Sequence, residues 1–354
     1  MYGYGGTILR VDLNARTIRK QPTPHDLARD YLGGRGFGAY FVFHEVPAGA
    51  NPLGPENKLV ISAGPLSGML VPGGGKTDIS TKSPLTGGYA GANVGGMLSA
   101  EMRFAGYDCI ILEGISDRPV YVLIENDRVE IRDASDLWGK GCMETEQLLK
   151  RKLGEEFQVA VIGPAGENLV KYASIGSDYG RQAGRGGVGA VMGSKRVKAV
   201  AVRGSKTVPV ADFPTYRERG LEMFAACKAS PGLAVWQRYG TSGVTTWANE
   251  IAAFPTRNFQ GGYLEGHQAL SGETMRERIV ITDKGCFGCP SPCGKWSYSK
   301  KYDVRVEGPE YETTALLGGD CALSDIEDVA YANWLCDELG LDTISAGASV
   351  AFAM

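Results

Sequence analysis

The chain has 354 residues, enough for two domains with sizeable buried cores. Hydrophobic residues make up 43% and charged residues 22%, a globular composition that argues against a disordered chain. Net charge is −3 with no basic stretch, which argues against nucleic acid as a partner, and no apolar run is long enough for a membrane span.

The chain opens MYGYGGTILRVDL, which enters an alternating strand pattern and not the apolar core of a signal peptide. We therefore expect a cytoplasmic protein whose eight cysteines stay reduced, where a tight cysteine cluster means metal or redox chemistry. GTILRVDL and TIRKQ are expected to pair as a hairpin turning near Asn14 and Ala15. KLVISAG, YDCIILEG, PVYVLIEN, RVEIRDA, QVAVIG, LVKYASI and VKAVAVRG read as further strands, with a turn at Asn126-Asp127 and one helix over Met143–Leu153. The lack of strict βαβ alternation argues against a dinucleotide-binding sheet.

After Val208-Pro209 the pattern turns helical. Asp212 is a candidate cap for a helix through Ala225, followed by a loop-rich stretch from Trp236 to Gln260. Ser324-Asp325-Ile326-Glu327 has the form of a capping box, starting a helix that Gly340 ends. The last segment, DTISAGASVAFAM, is apolar on nearly every side, so we expect the chain to be the front part of a longer protein. The fold class expected is α+β, with a β-rich domain over 1–208 and a mostly helical, incomplete domain over 209–354.

Three motifs carry chemistry. GCFGCPSPCG places Cys286, Cys289 and Cys293 in a C-x2-C-x3-C run. Zinc sites usually show two separated C-x2-C knuckles, so this single run stiffened by Pro290 and Pro292 fits a [4Fe–4S] cluster better. The glycine loops GGYAGANVGG (87–96) and DYGRQAGRGGVGAVMGSK (178–195), the second with Arg181 and Arg185, suit phosphate, although tight turns between strands would look the same. In CDELGLDTIS, Asp337 and Asp342 flank a helix corner and could grip an amidine-like edge. Taken alone, the motif is better explained by Asp342 as a helix N-cap and Asp337 as a solvated helix residue.

Taken together, the motifs resemble those of the tungsten-containing aldehyde:ferredoxin oxidoreductases, in order and along the whole chain. NPLGPENKLVISAGPLSG, TKSPLTG, RFAGYDCIILEG, IGPAGENLVKYASI, AGRGGVGAVMGSK, GPEYET and CDELGLDTIS carry the resemblance. It implies an enzyme that oxidises an aldehyde to a carboxylic acid on a tungsten held by two molybdopterins. Electrons would leave through a [4Fe–4S] cluster to ferredoxin or a ferredoxin-like subunit. By resemblance, Cys286, Cys289 and Cys293 are cluster ligands, and Asp337 and Asp342 bind a pterin. The carbonyls of Asn93 and Ala183 would hold a Mg2+ bridging the pterin phosphates, and Glu312 lies near the metal. Gly95, Arg181, Gly184, Arg185 and Gly186 belong to the cofactor-seating loops.

The resemblance places a fourth cluster cysteine, a second pterin motif and a catalytic histidine beyond residue 354. His25, His44 and His267 match no catalytic position and read as surface or loop histidines. Lys76 stands where the family commonly has an arginine linking pterin to cluster, which keeps the charge but loses the planar fork. Tyr331 and Trp334 replace an iron-binding Glu-x-x-His pair seen in some members, putting that iron and the homo-oligomer it supports in doubt. Cys321 reads as a packed thiol, and the alternative, a ligand reaching the tungsten, would favour a related enzyme acting on an aromatic acyl-CoA or another carbonyl compound. A non-catalytic electron-transfer or scaffold chain is the remaining alternative.

Overall fold

The computed structural model describes residues 1–354 and divides into two compact units. The first comprises Met1–Met223 with two short later pieces, Cys286–Gly288 and Glu338–Gly340. It contains two six-stranded sheets. Sheet one is made of β1 (Thr7–Asp12), β2 (Thr17–Pro22), β3 (Leu59–Ala63), β4 (Thr77–Lys82), β5 (Tyr89–Val94) and β6 (Tyr107–Glu113), in the order β2-β1-β6-β3-β4-β5. Sheet two is made of β7 (Val120–Glu125), β8 (Arg128–Asp133), β9 (Gln158–Val161), β10 (Ile175–Ser177), β11 (Arg181–Ala183) and β12 (Val197–Arg203), in the order β11-β10-β9-β12-β7-β8. Pairing is antiparallel except for one parallel pair in each sheet, β1 with β6 and β12 with β7.

Strands β3, β4, β6, β7 and β12 are buried along nearly their whole length, the pattern of sheets covered on both faces, with polar residues such as Asp108 on β6 and Lys198 on β12 buried among apolar ones. On β6 the period-two rule separates the layers. Ile110 and Leu112 join a core shared with Val120, Val122 and Val200 of sheet two, while Cys109 and Ile111 face the opposite way. That second face is covered by Phe37, Phe41 and Val42 of α2 (Arg35–Glu45), with α1 (His25–Tyr31) beside it. Met102 of α3 (Leu98–Phe104) also lies in the shared core, and Leu149 of α4 (Cys142–Leu153) covers the far face of sheet two. The short helices α5 (Pro164–Glu167) and α6 (Val188–Ser194) and the longer α7 (Phe213–Lys228) complete the helices that begin in this unit.

The second unit comprises Phe224–Gly285, Cys289–Asp337 and Leu341–Met354. Its helices are α8 (Leu233–Tyr239), α9 (Thr245–Glu250), α10 (Gly272–Arg278), α11 (Tyr311–Thr313), α12 (Ile326–Leu339) and α13 (Thr343–Ala353). Phe254, Leu270, Met275, Val306, Ile326 and Val329 form its core. A three-stranded antiparallel sheet of β13 (Val280–Lys284), β14 (Gly294–Ser299) and β15 (Val304–Glu307) carries the cysteine run as the β13–β14 connection.

The opening hairpin, the β7–β8 turn and the α4 and α7 helices form where the sequence predicts them. Asp212 does cap α7, accepting from the Thr215 N–H at 3.2 Å. Four expectations need correcting. LVKYASI is mostly irregular, with only Ile175 reaching β10, because its backbone bonds go to turns: Val170 donates to the Ala165 carbonyl and Ala173 to that of Val170. Trp236–Gln260 is not loop-rich, since α8, a 3-10 turn at Gly240–Val244 and α9 follow one another there. The start of α12 is capped by Asp325, whose Oδ1 accepts from the Glu327 N–H at 3.1 Å, and not by Ser324. His267 is buried, its Nδ1 2.8 Å from the Asn249 amide nitrogen, and is no surface residue. No helix is long and apolar enough to cross a membrane.

Candidate functional site

In the first unit, edge strands of the two sheets, β5 and β11, lie against each other. This brings two expected residues onto neighbouring strands. Asn93 is exposed on β5, opposite Asp78, and Ala183 is buried on β11, opposite Ile175. Beyond the end of β5, Gly95 is buried, and three chemically distinct groups converge on it. A Cβ added there would lie 2.7 Å from the Cys286 Sγ, 3.8 Å from the Arg181 Cδ and 4.0 Å from the Lys76 Nζ. Real Cβ atoms do not approach that closely, so the thiol reaches this position only because residue 95 has no side chain.

Cys286 is held from another side as well. A Cβ at Gly75 would meet the Gly96 carbonyl oxygen at 2.6 Å, the Phe287 nitrogen at 2.9 Å and the Cys286 Cβ at 3.2 Å. The Phe287 N–H donates to the Gly96 carbonyl at 3.1 Å, and its ring packs edge-on against Phe104 with centroids 5.9 Å apart. A half-exposed thiol with a lysine ammonium and an arginine side chain at the same glycine suits a negatively charged iron–sulfur group. The same two cations suit phosphate.

Near this point the start of the second glycine loop is strained, which sequence reasoning did not foresee. Asp178 and Tyr179 both adopt positive φ (53° and 56°), a conformation rare for non-glycine residues. The Tyr179 N–H donates to the Glu146 carboxylate at 2.9 Å, and Glu146 pairs with Lys150 at 3.0 Å. Burial outweighs that lysine and pushes the Glu146 carboxyl up from its ordinary range. The Asp178 carboxylate in turn lies 3.1 Å from where a Cβ of Gly96 would be. No hydrophobic period marks DYG, so only the glycine-rich context could have signalled it.

The remaining loop residues differ in how tightly they are held. Gly184 has nothing within 4 Å of its absent side chain, Arg185 is exposed, and Gly186 sits at φ +87° against Ala90.

In the second unit, Cys289 and Cys293 are half-exposed, and the Cys289 thiol donates to the Ser291 carbonyl at 3.4 Å. No three or more His, Cys, Asp or Glu side chains lie close enough to close on a single metal ion. Asp337 is buried and accepts from the Asn333 amide at 2.7 Å. Asp342 is the N-cap of α13, accepting from the Ile344 and Ser345 N–H groups at 3.0 and 3.3 Å. The cap role does not bar a ligand, since each carboxylate oxygen can accept more than one hydrogen bond. Both carboxylates act on one thiol: burial first, then Asp337 and Asp342, pushes Cys336 up to about 12.

Glu312 is exposed on α11, which runs directly into a π-helical turn at Thr314–Gly319. Such turns occur mostly as single insertions, often at functional sites. Cys321 is buried and donates to the Leu316 and Gly347 carbonyls at 3.4 and 3.5 Å, the contacts of a packed thiol. Tyr331 stacks between Tyr302 and Trp334, with centroids 4.3 and 5.8 Å away.

The sequence matches the family described as aldehyde ferredoxin oxidoreductase, N-terminal domain, over residues 8–204, and its domains 2 and 3 over residues 220–354. The chain belongs to the aldehyde ferredoxin oxidoreductase family. A tungsten-containing aldehyde ferredoxin oxidoreductase of Pyrococcus abyssi is 46% identical over 359 residues, covering 100% of this chain and 58% of the relative. An aliphatic sulfonate oxidoreductase, WOR-like subunit, of Pyrococcus furiosus is 35% identical, covering 100% of this chain and 59% of the relative. Among solved structures, the active site complex BamBC of benzoyl coenzyme A reductase, with 1,5 dienoyl-CoA, superimposes with a TM-score of 0.88 at 34% identity. That match covers 99% of this chain and 55% of the other. The chain thus spans less than two thirds of the length of these family members.

Proposed function

We propose that this chain supplies the cofactor-seating part of a tungsten–bis-pterin oxidoreductase that converts an aldehyde to a carboxylic acid. The overall change is aldehyde plus water giving acid, two protons and two electrons, with ferredoxin or a ferredoxin-like subunit in the cytoplasm accepting the electrons. The observation that carries this reading is the convergence of the Cys286 thiol, the Arg181 side chain and the Lys76 ammonium on Gly95. A thiolate suits an iron–sulfur centre and the cations suit phosphate, so a single spot serves both groups.

When bound, the tungsten–pterin group and a [4Fe–4S] cluster supply the two-electron oxidation and the one-electron exit. The rest is this chain's work. Cys286, Cys289 and Cys293 hold the cluster, and Lys76 and Arg181 balance negative charge beside it. The carbonyls of Asn93 and Ala183 would hold a Mg2+ that supplies positive charge for the pterin phosphates, with Gly95, Gly184, Arg185 and Gly186 shaping those loops. Asp337 and Asp342 accept from a pterin amino edge. Glu312 orients water and accepts its proton.

Elemental analysis of the natural protein, purified without oxygen, tests this: tungsten and about four irons per chain are expected, as one cubane needs. Zinc with neither of those overturns it. The BamBC similarity favours a second reading, reduction of an aromatic acyl-CoA. Assaying the same preparation with an aldehyde against an aromatic thioester, with a viologen dye as electron carrier, separates the two.

A further inference from the structure

The segment Cys289–Cys293 is gripped from behind by two residues outside the cysteine spacing. Lys295, on β14, is only 1% exposed, which is unusual for a lysine. Its Nζ donates to the Pro292 carbonyl at 2.9 Å and to the Gln237 carbonyl at 2.6 Å, and lies 3.0 Å from the Asp283 carboxylate. Gln237, on α8, donates its side-chain amide to the Pro290 carbonyl at 2.9 Å. The helix therefore holds both proline carbonyls of the loop, one directly and one through the lysine. Just after α8, a Cβ at Gly240 would strike the Cys293 carbonyl oxygen at 2.3 Å, so the chain at Cys293 lies hard against the helix end.

A buried charge is retained only where partners compensate it, and removing those partners costs several kcal/mol. Here the compensation is the Pro292 carbonyl of the loop, the Gln237 carbonyl of α8 and the Asp283 carboxylate, and Pro292 lies between two of the thiols. We infer that Lys295 is a positioning residue of the iron–sulfur site, with Gln237 as its helper, and that its ammonium sets the reduction potential of the bound cluster. The inference rests on the cluster reading above. Lys295 fixes the path of Cys289-Pro290-Ser291-Pro292-Cys293 by tying Pro292 to α8. Its positive charge also stabilises the more negative, reduced cluster, and the nearby Asp283 offsets only part of that effect.

The test uses the natural protein purified without oxygen, with Lys295→Met, Lys295→Arg and Gln237→Leu variants. Two quantities are read: the midpoint potential of the cluster's paramagnetic resonance signal, and the rate of its loss to an iron chelator. Lys295→Met is expected to move the midpoint to a more negative value and to lose iron roughly tenfold faster, the usual scale when a residue supporting the ligands is removed. Lys295→Arg is expected to restore the midpoint, because it returns the charge. Gln237→Leu is expected to speed iron loss while leaving the midpoint nearly unchanged, since it removes a tether and no charge. If Lys295→Met fails to fold by circular dichroism, the Arg and Leu variants decide: the inference falls if Gln237→Leu retains iron like wild type. A wild-type cluster with unaltered midpoint and loss rate in Lys295→Met overturns this inference alone. A wild-type protein with no iron–sulfur signal overturns the cluster reading itself.

Discussion

Gly95→Ala is the sharpest perturbation of the thiol site. The new methyl carbon would sit 2.7 Å from the Cys286 Sγ, whereas ordinary contacts begin at about 3.5 Å, so the sulfur must withdraw by about 1 Å. The Cys286 Cβ is 3.2 Å from where a Cβ of Gly75 would be, and the next residue is tied by the Phe287 N–H to the Gly96 carbonyl, so rotation of the thiol is the readier escape. Overpacking of this kind costs roughly 1–3 kcal/mol. In a unit of this size that lowers the melting temperature by about 2–4 °C per kcal/mol. The displaced sulfur would also miss its place on a cluster, so iron content should fall more than stability does. Calorimetry and iron analysis on wild type, Gly95→Ala and the control Gly49→Ala test this, position 49 having nothing within 4 Å of the added carbon. Unchanged iron and an unchanged melting temperature in Gly95→Ala would refute the account of why glycine is there.

Other outcomes follow from burial and charge. In metal-free protein at pH 8, iodoacetamide should modify Cys286, Cys289 and Cys293 well before Cys109 and Cys336, because burial pushes the latter two thiols up; peptide mass spectrometry reads the order, and equal rates would contradict it. Glu167→Gln should destabilise the first unit by about 3 kcal/mol, since it strands the buried Lys198 ammonium that pairs with Glu167 at 2.5 Å; chemical denaturation measures this. Burial opposes the charge on Glu45, but Arg10 and Lys58 together outweigh it and hold the carboxyl below 4.5. That stability is present above about pH 4.5 and is lost as pH falls through the lower folded value, so Glu45→Gln should flatten the acid side of a melting-temperature profile. Asp342→Ala should cost about 1 kcal/mol through the lost cap, and a larger loss would mean the carboxylate supports more than α13.

Much of the β-rich unit was legible because its hairpins are local and its alternation is plain, as in β1–β2 and β7–β8. β4 was missed: TDISTK looks like a polar loop, yet five of its six residues are buried. Some of its polar groups are bonded inside, with Ser80 bonded to Asp78 and Thr81 donating to the Lys58 carbonyl, while the buried Thr77 hydroxyl has no hydrogen-bond partner; no propensity scale registers such bonding. The β13–β15 sheet was missed because the glycines and prolines of its connection dominate the stretch. For the site, spacing marked the three cysteines, whereas the two carboxylates stood out only through the family resemblance. The approach of Cys286 to Gly95 joins residues far apart in the chain, and the Glu146 support of Tyr179 depends on a helix turn facing a strained loop. Neither leaves a periodic trace.

One further consequence concerns the order of assembly during synthesis. The β-rich unit is completed by pieces made late: Gly288 accepts from the Gly73 N–H, Glu338 from the Met143 N–H and Gly340 from the Ser174 N–H. Domains emerging from the ribosome fold N-terminal first, and contacts between distant segments form slowly. Both sheets can therefore be built while the nascent chain still lacks the strand-to-strand connection bearing Cys286. These three late contacts can all be in place only once translation has passed residue 340, so the first unit reaches its final form after its own sheets are made.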